Sequence, residues 1–159
     1  MQQRWKPSVT VAAVIEHGGR FLLVEEETAE GLKLNNPAGH LDPGESPEQA
    51  CAREVLEETA HVFRPTALVG IYLARFIRAS NGEDVTYLRM AFCGELLSHE
   101  PQRQLDAGIV RTLWLTPDEV RATRERHRSP LVLRGMEDFL AGVRHPLSAI
   151  YTDPSVLRP

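Results

Sequence analysis

At 159 residues, with 25% charged and 42% hydrophobic residues, the chain has the length and composition of one soluble domain, which excludes a disordered chain and a disulfide scaffold. Its net charge of −4 argues against a nucleic-acid-binding module, and its longest apolar run, residues 11–15, is too short for a membrane span or a signal peptide. Cys51 and Cys93 match no metal or redox spacing, which favours a cytoplasmic protein. We expect a single domain over residues 1–159, with its core at about residues 5–150.

Five segments rich in β-branched and other apolar side chains are predicted strands: residues 9–16, 21–25, 67–77, 85–97 and 109–115. Residues 17–20, which contain two glycines, predict a hairpin turn between the first two strands. Asn81-Gly82 lies between the third and fourth strands and suits the positive φ angles of a second hairpin turn. The strands therefore precede and follow a central segment that has a different pattern.

Three helices are predicted where a hydroxyl residue precedes proline: Ser46-Pro47, Thr116-Pro117 and Ser129-Pro130. The hydroxyl can cap the helix, and proline suits the first helical position because its missing N–H has no partner there. Gln49 and Glu119 would complete capping boxes in the first two helices. The third helix has a predicted buried stripe and a stop at Gly142; the stripe is Leu133, Met136, Phe139 and Leu140. This order of elements predicts an α+β fold in which a mixed β-sheet is sandwiched between helices.

The central segment, residues 39–58, contains six acidic residues and one basic residue, so the net negative charge of the whole chain lies there. Glu54, Glu57 and Glu58 follow the spacing i, i+3, i+4, which places three carboxylates on one helix face. Three glutamates alone are typical of a solvated helix face. Mg²⁺, however, prefers such oxygen ligands and usually shares its shell with substrate phosphates, so the alternative is a metal–phosphate site.

A longer pattern surrounds these glutamates: glycine, five residues, glutamate, seven residues, and then Arg-Glu-apolar-X-Glu-Glu. It is occupied by Gly39, Glu45, Arg53, Glu54, Val55, Glu57 and Glu58. This pattern resembles the Nudix box, the signature of the Nudix hydrolases. That box usually ends in glycine and an apolar residue, but this chain has Ala60 and His61 there. The difference affects how the helix ends and removes no carboxylate.

The resemblance implies the Nudix fold and hydrolysis of a nucleoside diphosphate linked to another group, with Mg²⁺ or Mn²⁺ as cofactor. It implies metal binding by Glu54, Glu57 and Glu58. Arg53 would orient a ligand carboxylate, and Glu45 would either brace the loop against the helix or complete the metal shell. The general base is left open among Glu57, Glu100 and Asp106.

Segments outside the box resemble the NudJ-like phosphatases within this family; they are Lys6-Pro7 and residues 24–26, 36–41 and 128–132. That resemblance, over about residues 5–150, implies release of inorganic phosphate from thiamine-type pyrophosphates and from nucleoside di- and triphosphates. One alternative is a pyrophosphohydrolase of nucleoside triphosphates or ADP-ribose-like dinucleotides, which would release a nucleoside monophosphate. Another is a non-catalytic nucleotide sensor, which would be expected to have lost some of the glutamates.

Three residues are candidates for substrate binding: Asn36, His40 and Arg75. Other basic side chains could instead contact phosphate: Lys33, Arg78 and Arg89. Leu34 stands where relatives often have tryptophan, so Tyr72 or Phe76 would have to stack on an aromatic base. The arginine-rich run over residues 121–128 is interpreted as a solvated surface. We expect a small-molecule substrate, no nucleic-acid or membrane partner, and a monomer or homodimer.

Overall fold

The structure of the protein, a computed structural model, describes residues 1–158. It contains eight strands: β1 (Ser8–Ala13), β2 (Glu16–His17), β3 (Arg20–Thr28), β4 (Gly31–Asn35), β5 (Ala38–His40), β6 (His61–Ile77), β7 (Asp84–His99) and β8 (Ile109–Leu115). The α-helices are α1 (Pro47–Thr59), α2 (Pro117–Ala122) and α3 (Leu131–Leu140). Two 3-10 helices span Arg124–Arg126 and Leu147–Ala149. The described part of the chain contains no helix with the length and apolar character that a membrane crossing requires.

The strands form two sheets. The first sheet is mixed and has the order β5-β1-β7-β6, with β1 parallel to β7 and antiparallel to β5. The second sheet is antiparallel and has β3 at its centre, paired with β2, β4 and β8. Together with the helices, these sheets confirm the predicted α+β class.

The first predicted strand, residues 9–16, is divided between the two sheets. The amide of Val14 donates to the carbonyl of Phe92 in the first sheet, and Ile15 accepts from the amide of Leu22 in the second. The predicted turn over residues 17–20 therefore joins the short strand β2 to β3, and β1 is not part of that hairpin. Alternation of apolar residues cannot reveal such a change of sheet, because both halves of the segment are extended and buried.

β6 and β7 form an antiparallel hairpin, which confirms the turn predicted at Asn81-Gly82. Gly82 has a φ of +73° in the turn, and the two strands are longer than predicted, running from His61 to His99. β8 has the predicted bounds. This long hairpin supplies two of the four strands of the first sheet, and its side chains contribute to the core on both faces of that sheet.

The core has two apolar clusters, one on each side of the first sheet. Alternation in β7 directs Phe92 to one cluster and Ala91 to the other, as expected for a strand covered on both faces. Cys51 and Val55 of α1 pack into the cluster that contains Phe92. The other cluster receives apolar side chains from α2 and α3, namely Val120, Val132 and Met136. The prediction of helices on both faces is therefore confirmed.

Each helix starts within two residues of its predicted cap. Ser46 and Gln49 form the capping box of α1: the Ser46 Oγ accepts from the Gln49 amide at 3.2 Å, and the Gln49 Oε1 accepts from the Ser46 amide at 2.9 Å. In α2 the Thr116 hydroxyl accepts from the Glu119 amide at 3.2 Å. The predicted second half of that box is wrong, because the Glu119 carboxylate instead pairs with Arg20 at 3.6 Å.

The third helix begins one residue later than its Ser-Pro signature predicts. Pro130 is the N-cap, and the Ser129 hydroxyl accepts from the Leu131 amide at 3.2 Å. Its buried positions are Leu131, Val132, Gly135 and Met136. Leu133 and Phe139 are partly buried as predicted, but Leu140 is 45% exposed, so its placement in the buried stripe was wrong. Gly142, with a φ of +82°, follows the helix end as predicted.

Replacing the Ser46 cap should weaken α1 and, with it, the whole fold. We expect Ser46→Ala to lower the free energy of unfolding by about 1 kcal/mol, because the backbone amide of Gln49 loses the hydroxyl oxygen that accepts its hydrogen bond. Urea denaturation followed by circular dichroism measures this change. The control is Ser98→Ala on the exposed part of β7, and an equal loss in both variants would contradict the role of the cap.

Candidate active site

The carboxylates of Glu54, Glu57 and Asp106 form a compact cluster. Each contributes one oxygen, and these atoms all lie within 4.8 Å of one another. Glu54 and Glu57 project from α1, whereas Asp106 arrives from the segment before β8, where its amide donates to the carbonyl of Glu57 at 3.0 Å. Three convergent carboxylate oxygens are a donor set that fits a hard divalent cation.

Glu58, the third ligand expected from the sequence, lies beside this cluster and is only 7% exposed. Its Oε1 accepts a hydrogen bond from the amide of Ala38 at 2.8 Å, which ties α1 to the start of β5. The sequence had suggested Asp106 as a candidate general base and not as a member of the metal cluster. Its place there depends on a segment about 50 residues away along the chain, for which helix spacing carries no signal.

Arg53 is the central hydrogen-bond donor of the site. Its Nε and Nη2 donate to both oxygens of Glu45, at 2.9 and 2.8 Å. Its Nη1 donates to Glu54 at 2.8 Å and to Glu57 at 3.1 Å. Nη2 also reaches the carbonyl of His40 at 3.0 Å. One guanidinium therefore holds the loop before α1, the strand β5 and the carboxylates in a fixed relation.

Glu45 contacts the loop as well as the helix. Its Oε1 accepts from the amide of Asp42 at 2.8 Å in addition to its two bonds from Arg53. These bonds hold the pKa of Glu45 below its usual range, with the Arg53 hydrogen bond as the largest cause. This geometry matches the bracing alternative for Glu45, and its two carboxylate oxygens are occupied by Arg53.

Burial makes the site electrostatically unfavourable when no cation is bound. Burial is the main cause that raises the pKa of Glu54 to about 7, and repulsion from Glu57 and Asp106 adds to it. Burial likewise raises the pKa of Glu58 to about 8, and the charges of Glu26, Glu54 and Asp106 act in the same direction. A divalent cation would relieve this repulsion and favour the ionised carboxylates.

The stability of the protein in EDTA should therefore fall as the pH rises. The folded-state pKa values of Glu54 and Glu58 lie above the ordinary 4.5, so their contribution is fully present below about pH 4.5 and is lost through about pH 7 and 8. We expect the melting temperature in EDTA to decline over this interval. Glu58→Gln, which keeps the acceptor for the Ala38 amide, should show a shallower decline. If the melting temperature of Glu58→Gln declined with pH as steeply as that of the wild type, the raised pKa of Glu58 would not be a cause of the decline.

Gly39 allows β5 to pass directly against the cluster. A Cβ atom built on this residue would lie 2.1 Å from the carboxyl carbon of Glu54. Contacts below 3.0 Å are not tolerated, so any larger residue here must displace the Glu54 carboxylate. The glycine of the box motif is thus required by close approach of the strand to the helix.

The unusual end of the box is accommodated without glycine. Ala60 adopts the left-handed conformation, with φ 59° and ψ 21°, and its amide donates to the carbonyl of Leu56 at 2.9 Å. Its carbonyl accepts from the amide of Glu100 at 2.7 Å, and His61 stacks on His99 with ring centroids 4.3 Å apart. The helix therefore ends in the conformation that glycine would favour, and Glu54 and Glu57 keep their places in the cluster.

A cavity of about 1010 Å³ is lined by Ala38, Gly39 and His40 of β5. The candidate substrate residues His40 and Arg75 line it, and Arg75 is held by Asp84 through bonds of 2.8 and 2.7 Å. The side chain of Asn36 is buried, and its Oδ1 accepts from Arg89 at 3.1 Å. The cavity wall also contains all three basic alternatives, namely Lys33, Arg78 and Arg89.

The aromatic candidates have separate positions. Phe76 lines the cavity and stacks on Tyr87, with ring centroids 5.3 Å apart. Tyr72 instead contacts α3, where its hydroxyl donates to Asp138 at 2.7 Å. Leu34 is 1% exposed and belongs to the core, so it is not available for contact with a ligand. Phe76 and Tyr87 together give the cavity an aromatic wall.

Two further sequence interpretations can be compared with the geometry. Glu100, one of the three candidate bases, forms an exposed pair with Arg103 at 3.6 Å and does not belong to the compact cluster. The arginine-rich run is largely paired with acidic side chains: Arg121 contacts Glu137, and Arg126 contacts Glu25. Sequence reasoning gave Glu26 no role in the site, although it lies in the cavity wall and accepts a hydrogen bond from Asn35.

Comparison with known proteins agrees with this geometry. Residues 4–134 match the model of the NUDIX domain family. Phosphatase NudJ from Escherichia coli strain K12 is 35% identical over 147 residues, which is 92% of this chain and 92% of that protein. The resemblance of the box and of the outer segments therefore extends over almost the whole chain.

Solved structures show the same fold. A NUDIX hydrolase from Nitrosomonas europaea is 54% identical, with a TM-score of 0.85 over 93% of this chain and 98% of that one. The NUDIX domain of Shewanella oneidensis NrtR, solved in complex with ADP ribose, is 18% identical, with a TM-score of 0.66 over 87% and 90% of the two chains. At that identity the second likeness concerns the fold alone. The carboxylate cluster, the box and these relatives show that the chain belongs to the Nudix hydrolase family.

Proposed function

We propose that the protein is a Mg²⁺-dependent hydrolase that releases inorganic phosphate from small pyrophosphates, namely thiamine-type pyrophosphates and nucleoside di- and triphosphates. The observation that carries this proposal is the Glu54–Glu57–Asp106 cluster, and Gly39, which lies against Glu54, also lines a cavity large enough for an organic group. The likeness to Phosphatase NudJ supports release of phosphate. We further propose a cytoplasmic location, a small-molecule partner, and a monomer or homodimer.

In this proposal Glu54, Glu57 and Asp106 hold the Mg²⁺, which Mn²⁺ can replace, and Glu58 completes the acidic set from its buried position. A bound divalent cation supplies neutralisation of diphosphate charge and activation of water. The remaining contribution of the protein is positioning. Arg53 separates the carboxylates and keeps them oriented, and Glu45 holds Arg53 against the loop before α1.

The general base is proposed to be Glu57 or Asp106. Both carboxylates lie in the cluster, where a water that attacks phosphorus would be within hydrogen-bond reach. Glu100 is less suited because it lies in an exposed pair with Arg103. Comparing pH–rate profiles of Glu57→Gln and Asp106→Asn distinguishes the two, since removal of the base abolishes the acidic limb of the profile.

The test of the proposed function is a screen of purified protein with Mg²⁺ and with Mn²⁺. The substrates are thiamine pyrophosphate, nucleoside di- and triphosphates, ADP-ribose and dinucleotides, and mass spectrometry identifies each product. Inorganic phosphate as the first product from thiamine pyrophosphate and nucleotides is the expected result. No turnover of any substrate by metal-loaded protein would favour the nucleotide sensor instead.

A second candidate is a pyrophosphohydrolase of nucleoside triphosphates or ADP-ribose-like dinucleotides. The size of the cavity, about 1010 Å³, favours it because a dinucleotide needs more room than a single organic ring. The same screen separates the two candidates. Release of a nucleoside monophosphate in place of inorganic phosphate would establish the second.

A further inference from the structure

Arg89 is a buried basic residue at the wall of the cavity. It lies on β7 between Thr10 of β1 and Tyr72 of β6, so it occupies the middle of the first sheet, and it is only 8% exposed. Burial lowers its pKa to about 10, which leaves the guanidinium charged at neutral pH. A buried charge in such a position needs a compensating partner, because removing it from water is costly.

The direct partners of Arg89 are neutral. Its Nη1 donates to Asn36 and its Nη2 donates to Asn35, each at 3.1 Å. The nearest acidic group in this network is Glu26, whose Oε1 accepts from Asn35 at 3.2 Å and whose Oε2 pairs with Arg128 at 2.7 Å. Within residues 1–158, the ion pairs closer than 4 Å include none to Arg89. The charge of Arg89 is therefore balanced only without direct contact, by Glu26, which Arg128 already neutralises, and by Glu58.

The surroundings of Arg89 favour an anion. Six lysine or arginine side chains line the cavity. Four of them pair with carboxylates, namely Arg75, Arg78, Arg124 and Arg128, so Lys33 and Arg89 are the lining cations for which the described residues supply no ion pair within 4 Å. Ala38 and Gly39 of β5 also line it, and Gly39 lies directly against Glu54 of the acidic cluster. A phosphate chain bound at the cluster would therefore continue past β5 towards Arg89, with the Phe76–Tyr87 stack available for a planar ring.

We propose that Arg89 is a specificity-determining residue that binds an anionic group of the ligand, on the organic side of the bond that is cleaved, without help from a metal. The role in selecting a substrate rests on the proposed function, whereas the binding of the anion does not. A consequence follows for the two substrate groups of that proposal. A cavity in which Arg89 and Lys33 have no ion pair favours a nucleotide over a thiamine-type compound, whose ring is cationic.

Isothermal titration calorimetry in EDTA tests the binding with wild-type protein and three probes: AMP, adenosine and thiamine monophosphate. We expect AMP to bind at least about tenfold more tightly than either of the others, since only AMP combines a phosphate with an uncharged ring. Affinity for adenosine equal to that for AMP would overturn the binding of the anion, and affinity for thiamine monophosphate equal to that for AMP would overturn the preference for a nucleotide. Because no metal is present and no bond is cleaved, this result is independent of the hydrolysis screen.

The variant Asn36→Asp tests whether Arg89 is the residue that binds the phosphate of AMP. The substitution changes size very little and places a carboxylate 3.1 Å from Nη1, so Arg89 gains an internal partner. We expect an unchanged or higher melting temperature and a loss of AMP affinity of at least about tenfold. Arg89→Gln should show the same loss of affinity, but it removes bonds from the middle of the sheet and should also lower the melting temperature.

The matched control is Asn81→Asp at the turn between β6 and β7. It changes the net charge equally and keeps the side-chain oxygen that accepts from the amide of Glu83 at 3.0 Å. We expect AMP affinity within about twofold of wild type, because the change is on the exposed turn. Wild-type AMP affinity in folded Asn36→Asp protein, or an equal loss in both aspartate variants, would overturn the assignment of Arg89.

Discussion

Glu57→Gln should lower kcat by roughly 10³-fold or more while the protein remains folded. The change removes one negative charge from the Glu54–Glu57–Asp106 cluster and leaves an amide of nearly the same size. Glu57 also accepts a hydrogen bond from Arg53 at 3.1 Å, and the amide oxygen of glutamine can accept the same bond. The scaffold should therefore survive, and the loss should appear in catalysis.

The measurement for Glu57→Gln is steady-state phosphate release over a range of Mg²⁺ concentrations, together with the melting temperature. Glu48→Gln in the first turn of α1 is the matched control, because it removes the same charge outside the cluster. We expect this control to retain kcat within about twofold. Near-normal turnover in Glu57→Gln at saturating Mg²⁺ would contradict the assignment of Glu57 to the metal site.

Gly39→Ala should produce a smaller but still large loss of activity, from a residue that has no functional group. The added methyl carbon would lie 2.1 Å from the carboxyl carbon of Glu54 and would displace that carboxylate from the cluster. We expect roughly a 10²-fold loss in kcat/KM, because small misplacements of a catalytic group are costly. The melting temperature should change little, since the displaced atoms are the end of a flexible side chain.

Gly94→Ala provides the contrasting variant. Its Cβ would lie 2.0 Å from the backbone carbonyl oxygen of Arg64, which cannot rotate away. We expect a marked fall in the melting temperature, with the remaining folded protein retaining its metal affinity. Thermal unfolding and Mg²⁺ titration of both variants measure the difference. If Gly39→Ala lost stability as Gly94→Ala does, with unchanged activity per folded molecule, the placement of β5 against Glu54 would be wrong.

Some features could be predicted from the sequence because they depend on neighbours along the chain. The start of α1 follows from Ser46 and Gln49, whose reciprocal hydrogen bonds span three residues. The tight turn at Asn81-Gly82 follows from the conformational freedom of Gly82. The shared orientation of Glu54 and Glu57 follows from helical periodicity. The family could be recognised for the same reason, since its motif is contiguous.

Other features required the tertiary structure. The change of sheet at Val14 and Ile15 depends on pairing with two distant strands, which leaves no mark on the alternation of apolar residues. The exposure of Leu140 likewise depends on what lies beside the end of α3. In each case a local pattern was compatible with more than one environment.

The active site shows the same division. By itself, the sequence determined the box, the acidic face of α1 and the chemistry that such carboxylates favour, because these properties are local. Only the tertiary structure decided that Asp106 joins Glu54 and Glu57, and that Glu58 is tied to the Ala38 amide. It also decided that Arg89 is buried beside two neutral amides. The physical reason is that desolvation, repulsion and charge pairing depend on distances through space, and residues far apart in sequence determine them.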